Sequence, residues 1–272
     1  MIGNLLRKLP AFKGKLRIAR ALINRDRKNV LINTKLAKYI LPNLWDSQYF
    51  ELFTNGTYEI ELVNYIVNTV PLNGFYLDIG GNIGSVAISV ALKRPDIQVV
   101  TIEALPTNFC YLTQNIALNN LKNIKAVNVC CSNKENEVVK FHIPELYNGS
   151  SSFHGLHTNK YVELTTTTID ILLKNLGIDK IDVIKIDTEG SEALILQGAK
   201  NTINKNNSKI IFEFCEDYEK ATPGLNVGDS QRVLKELNYE LYDFNIFPKG
   251  NKITDIIKNG SFDFLAKKAT NR

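Results

Sequence analysis

The sequence is short of the residues that organise cross-linked or metal-built folds, with four cysteines and three histidines in 272 residues. Cys110, Cys130, Cys131 and Cys215 sit in apolar runs and none is spaced as C-x-x-C. Neither a disulfide scaffold nor a zinc site is therefore expected, since thiolate zinc sites need a second clustered pair. Only His142, His154 and His157 could add imidazole. Isolated cysteines of this kind pack as small hydrophobes in a reducing compartment, which points to the cytoplasm. Long hydrophobic runs are missing too. No apolar stretch approaches the roughly 20 residues that cross a bilayer, and the first residues lack the unbroken apolar core of a signal peptide. Internal repeats and low-complexity tracts are absent, Thr165 to Thr168 being too short to count.

Outside one segment the chain also lacks an excess of positive charge. Residues 1–28 hold nine of the 33 Lys and Arg and one of the 28 acids, leaving 24 basic and 27 acidic residues elsewhere. A nucleic-acid-binding face would spread basic residues across the domain, so no nucleic-acid partner is expected. Within residues 5–23, Leu5, Leu9, Phe12, Leu16, Ala19 and Ile23 recur at steps of three and four, with Arg7, Lys8, Lys13, Lys15, Arg17 and Arg20 largely on other faces. The spacing predicts a basic amphipathic helix starting near Pro10. Such a helix packs on its own domain, pairs with a second copy, lies on an anionic membrane at its inner face, or stays loose in solution. Residues 29–58 read as small strands and turns, with Pro42 and Asn55-Gly56 as breakers, ahead of a helix near 60–70. Residues 1–70 form a lid or dimerisation extension in this reading, and residues 71–272 a second domain.

From Gly74 onward strand and helix patterns alternate. Strands are predicted at 75–79, 97–102, 124–130, 182–187, 209–214, 239–244 and 262–266, with helices near 83–94, 107–119, 169–176, 190–201 and 228–237. Alternation of this kind gives an α/β fold with a doubly wound, mostly parallel seven-stranded sheet. Lys134 to Thr167 interrupts it as a hairpin around a polar loop, 148–155, and a loop of that length in a compact domain is usually functional.

Chemistry concentrates where strands end. Phe75 to Ile79 is a buried-strand run followed by Gly80-Gly81-Asn82-Ile83-Gly84 and a helical pattern, so the glycines fall at a strand-to-helix junction. Glycines there let the backbone turn and let a ligand approach its N–H groups at a helix N-terminus. The spacing Gly80-x-Asn82-x-Gly84 is not the G-x-G-x-x-G of dinucleotide sites, which argues against an NAD-dependent dehydrogenase. Asp78, just before the turn, suits a ligand with an amino group. The expected strand ends carry four acids, Asp78, Glu103, Asp187 and Glu213, and ligands of doubly wound sheets bind at those ends. Glu189 and Glu192 fall in the first turn of the following helix, where carboxylates complement the dipole, a role at least as expected as catalysis for either one.

Asp78-Ile79-Gly80-Gly81-Asn82-Ile83-Gly84 together with Ile184-Lys185-Ile186-Asp187-Thr188-Glu189-Gly190-Ser191-Glu192, Gly198-Ala199 and Ile210-Ile211-Phe212-Glu213 resembles the FkbM family of S-adenosylmethionine-dependent methyltransferases. The similarity spans about residues 56–245, with Gly56-Thr57-Tyr58-Glu59 ahead of the first helix, and Gly81 stands where that loop commonly has alanine. The resemblance implies a class I, Rossmann-like methyltransferase with S-adenosylmethionine as cofactor. Gly80, Asn82 and Gly84 would receive its methionine part, with Asp78 near the ammonium group or held to it through water. Glu103 would accept both ribose hydroxyls, Ala104 and Leu105 would flank the adenine, the Cys131-Ser132 segment would close its other side, and Glu59 would reach in from the N-terminal side. The transfer is an in-line displacement, so the protein must align a nucleophile and, for a hydroxyl, remove its proton. Asp187, His154 and Glu213 are the candidate bases in that order, with a magnesium ion on Asp187 and Glu213 as an alternative use of the two acids. The expected reaction is O-methylation of a small polar acceptor, a sugar or glycan hydroxyl by family association. A binding protein that keeps the fold without catalysis is the other alternative.

Overall fold

The computed structural model describes residues 2–8, 14–144, 151–156, 158–244 and 250–269. It opens with two short helices, α1 (Ile2–Lys8) and α2 (Lys15–Leu22), rather than one helix from near Pro10. Gly14, with φ of 95°, immediately precedes α2, and Leu9, Pro10, Phe12 and Lys13 lie outside the described residues. Ala19 and Ile23 are buried as the periodicity predicts, but Leu5 is 63% exposed and Leu6 is buried in its place. A stripe drawn across two separate helices loses its phase, because side-chain direction depends on an unbroken 3.6-residue period.

A hairpin of β1 (Val30–Asn33) and β2 (Lys38–Leu41) follows, then α3 (Ser47–Asn55) and α4 (Ile60–Thr69). The sequence reading took 29–58 as strands and turns and missed α3. Its caps explain it: the Asp46 carboxylate accepts the N–H groups of Gln48 and Tyr49, and Gly56, at φ of 77°, ends the helix. Asn55-Gly56 is thus a helix stop rather than a loop turn. Tyr39, Leu41, Phe50 and Phe53 of this extension share a core with Ile83 and Ile88 of the main domain.

The alternating region folds as β3 (Phe75–Ile79), α5 (Ser85–Lys93), β4 (Gln98–Ile102), α6 (Pro106–Leu118), β5 (Ile124–Val127), β6 (Cys130–Cys131), β7 (Val138–His142), β8 (Tyr161–Thr167) and α7 (Ile169–Leu176). It continues with β9 (Val183–Ile186), α8 (Glu192–Gln197), α9 (Lys200–Asn206), β10 (Lys209–Cys215), α10 (Glu216–Ala221), α11 (Asp229–Glu236), β11 (Tyr239–Asp243), β12 (Lys252–Ile253) and β13 (Ser261–Lys268). The main sheet runs β12-β11-β13-β10-β9-β3-β4-β5. It has one strand more than expected, the two-residue β12. β5, β4, β3, β9 and β10 pair in parallel, and β13 is antiparallel to both β10 and β11. β3 and β9 are buried along nearly their whole length, as strands covered on both faces must be. The helix expected over 190–201 divides into α8 and α9 at Gly198, where a Cβ would come within 2.2 Å of the Ser132 carbonyl oxygen. β7 and β8 form the predicted hairpin, from Val138↔Thr165 to His142↔Tyr161; Asn148, Gly149, Ser150 and His157 lie outside the described residues.

Candidate active site

The order reverses at β3, which has β4 on one side and β9 on the other, and such a switch point opens a crevice at the carboxyl ends of the strands. The glycine loop closes over it. Gly80 has φ of 84°, and a Cβ there would lie 1.8 Å from the Asp187 carbonyl oxygen, so the loop touches the end of β9 backbone to backbone. The N–H groups of Gly80 and Gly81 both donate to the Ile102 carbonyl, tying the loop to β4 as well. Asn82, at φ of 49°, donates its N–H to Glu103 Oε2 at 2.8 Å. Its side chain is clamped from the N-terminal extension: Tyr49 Oη donates to Asn82 Oδ1 at 2.7 Å, and Asn82 Nδ2 donates to Gln48 Oε1. Gln48 and Tyr49 were invisible to motif reading because they belong to α3.

Asp78 is the anchor beneath this loop rather than part of a cavity wall. It is 1% exposed, accepts hydrogen bonds from Tyr76 Oη and Thr101 Oγ1, and stands 3.8 Å from Lys185 Nζ. Lys185, buried within β9, donates to Asp187 Oδ2 at 3.1 Å. Burial alone would lower its pKa, but Asp187, Asp78 and Glu59 outweigh that and raise it, so it stays an ammonium. An ionisable residue inside an apolar strand was the available signal for this hub.

Glu103 closes β4 and is 7% exposed. Its two oxygens accept the N–H groups of Asn82 and Leu105, while Asn128 Nδ2 fixes its carbonyl. Burial pushes its carboxyl up to about 7 even though both backbone donors pull the other way. It lines a narrow cleft with Gly80, Asn82, Ala104 and Asp187, and Cys130, Cys131, Phe141 and Phe153 supply the apolar side. A charged acceptor at a strand end, a glycine turn and an apolar slot suit a ligand carrying a sugar diol and a flat ring.

A second, larger cavity of about 730 Å³ adjoins it, and Asp187 and Glu189 line both. Glu59 and Glu213 line this larger space. Burial, followed by the charge of Asp187, raises the carboxyls of Glu189 and Glu213. Glu189, for which the sequence set a helix-dipole role against catalysis, and Asp263, which no motif singled out, are both cavity residues. Asp263 reaches the site because β13 returns antiparallel beside β10, a pairing that no local pattern reveals.

Five expected site residues line neither space. Besides Asp78, Gly84 starts α5 at φ of 89°, where a Cβ would meet Ile88 and Leu112. Leu105 packs with Cys130, Phe141 and Phe153 behind the cleft. Ser132 is buried under Gly198, and Cys131 takes the cleft position expected of that segment. His154 is 3% exposed and stacks on Tyr218 with centroids 4.7 Å apart, so it packs behind the wall that Tyr218 forms rather than standing free on the polar loop. The magnesium pair gains no support: among the described residues no group of three or more His, Cys, Asp or Glu is disposed to hold a metal, and Asp187 is paired with Lys185.

The profile of the Methyltransferase FkbM domain matches residues 78–245. Methyltransferase sdnD of Sordaria araneosa is 26% identical over 181 residues, covering 55% of this chain and 67% of its own length. Methyltransferase 1 of Beauveria bassiana is 20% identical over 171 residues, covering 56% and 69%. Among solved structures, methyltransferase FkbM from Methylobacillus flagellatus superposes with a TM-score of 0.43 at 16% identity, over 79% of this chain and 52% of that one.

Proposed function

Because the chain belongs to the FkbM methyltransferase family, we propose that it transfers a methyl group from S-adenosylmethionine to a hydroxyl of a small polar acceptor, a sugar or glycan. The observation that carries this is the pair of cavities meeting at Asp187: one sets a carboxylate acceptor beside a glycine turn and an apolar side, the other is open, polar and acidic. When bound, S-adenosylmethionine supplies an electrophilic methyl group on a sulfonium that leaves as a neutral thioether. Its fit is supported by the glycine backbone packed without Cβ atoms against Asp187 and Thr101 and by Glu103, whose carboxylate suits two ribose hydroxyls.

The chain's own residues then orient and deprotonate. Lys185 fixes Asp187 through Oδ2, and among the described residues no hydrogen bond engages Oδ1, which remains to take the acceptor's proton. Glu213, with its raised carboxyl, is the stronger base when ionised and is the second candidate. Gly80, seated on the Asp187 carbonyl, holds base and cofactor loop in one register. Incubation with methyl-labelled S-adenosylmethionine and a panel of sugars and glycans tests the reading. Label in an alkali-stable methyl ether supports it, and label only in nitrogen- or carbon-linked methyl groups overturns the O-methyl assignment. Calorimetric titration with S-adenosylmethionine and NAD in parallel separates the cofactors.

We also propose that residues 1–28 carry a cytoplasmic protein to the anionic inner face of a membrane. Leu5, Ile18 and Leu22 are among its most exposed large hydrophobics, and Arg17, Arg20, Arg27 and Lys28 are exposed with them. Interfacial binding sums such apolar contacts with attraction to anionic lipid. A homodimer through the same face is the competing outcome. No described helix is long and apolar enough to cross a membrane.

A further inference from the structure

Methyl transfer to a neutral hydroxyl leaves the charge of the larger cavity unexplained. Seven carboxylates and one ammonium line it, and that ammonium, Lys185, already serves Asp187 and Asp78. Surplus like charge in a partly desolvated space is costly unless a cation comes to it. Two of the acids face each other: Glu213 and Asp263 are direct register partners across β10 and β13, the arrangement in which like charges destabilise a sheet. Glu59 adds an independent sign. Its Oε2 is shut off from solvent and meets no hydrogen-bond donor, in a side chain that lines this cavity. Glu59 and Glu189 are also the two described residues other than glycine and asparagine that hold a left-handed backbone, at φ of 46° and 56°. Tyr58, Tyr218 and Phe244 complete the wall, and aromatic faces attract organic cations.

We propose that the acceptor carries a positively charged nitrogen, received by Glu59, Glu189, Glu213 and Asp263 beside Tyr58 and Tyr218, so that the molecule methylated is an amine-bearing polyol such as an amino sugar. This rests on the methyltransferase reading above and names its substrate class. A cation there offsets the repulsion that, after burial itself, holds the carboxyls of Glu189, Glu213 and Asp263 above their ordinary values.

The test is calorimetric titration of glucosamine, glucose and glucuronate into the full chain saturated with S-adenosylhomocysteine, which lacks the sulfonium charge, with spermidine as a second cationic probe. Glucosamine should bind at least about tenfold more tightly than glucose and glucuronate most weakly, the charge-assisted contacts being equivalent to at least one factor of ten. Glu213→Gln and Asp263→Asn should each erase most of that preference while the affinity for S-adenosylmethionine holds within about twofold. Equal binding of the three sugars, or no binding of either glucosamine or spermidine, overturns the proposal. So does a loss of S-adenosylmethionine affinity in the variants with the sugar preference intact, since the acids then serve the cofactor's own charge. Failure of the methyltransferase reading shows separately, as absence of any S-adenosylmethionine binding, and the sugar series without cofactor still decides the preference.

Discussion

Replacing Glu103 by alanine separates binding from folding because the carboxylate does two jobs. It accepts the N–H groups of Asn82 at 2.8 Å and Leu105 at 2.9 Å, and their loss orphans two donors at about 1–3 kcal/mol each. Against that stands the burial of the carboxylate itself, which moves its pKa from 4.5 to about 7. At 1.36 kcal/mol per unit, the ionised side chain costs the fold about 3 kcal/mol. The folded value is raised, so the benefit of this group is complete below pH 4.5 and is lost as pH rises through about 7. Glu103→Ala should therefore destabilise by about 2–6 kcal/mol near pH 5, and by about 3 kcal/mol less near pH 8. Cofactor affinity should fall by about 2 kcal/mol, roughly 30-fold, since two ribose hydroxyls lose a charged acceptor. Urea unfolding followed by circular dichroism at the two pH values, with calorimetric titration of S-adenosylmethionine, measures both. A stability deficit that grows with pH, or an unchanged affinity, refutes the reasoning.

Gly80→Ala forces a side chain into a left-handed backbone and onto the Asp187 carbonyl oxygen; a loss of at least about 3 kcal/mol is expected, read as a melting temperature lower by about 6 °C or more. Asp187→Asn keeps the shape and removes the proton acceptor, so turnover should drop by about 10²-fold or more with little change in cofactor affinity; full activity in steady-state assays would move the base to Glu213. The pair Ile18→Asp and Leu22→Asp, both at exposed positions, should reduce sedimentation with anionic vesicles severalfold while transfer to a soluble acceptor persists; unchanged sedimentation with a shifted elution volume would identify a dimer contact instead.

What was legible in the sequence is what local chemistry determines. Apolar runs ending in an acid placed β3, β4, β9 and β10, and glycines that tolerate no Cβ marked the loop at Gly80. Motif position does not reveal satisfaction at Asp78, where the hydroxyls of Tyr76 and Thr101 already donate to the carboxylate. Nor does it reveal packing at His154, where a polar-looking loop segment sets its histidine against Tyr218. The partners of Asn82 come from α3, and Asp263 comes from an antiparallel return strand; both depend on contacts between distant parts of the chain. The N-terminal stripe ran one helical period across two separate helices, α1 and α2, the second of which starts only after Gly14.

In the proposed reaction the cleft between Gly80 and Glu103 holds S-adenosylmethionine and presents its methyl group to the acidic cavity across Asp187. A crystal structure of the complex with S-adenosylhomocysteine measures this directly. The ribose hydroxyls are expected on the Glu103 carboxylate, the adenine beside Ala104 and Phe141, and the sulfur facing the space lined by Asp187 and Glu213. Density for the cofactor elsewhere, or with its sulfur turned away from Asp187, would contradict it.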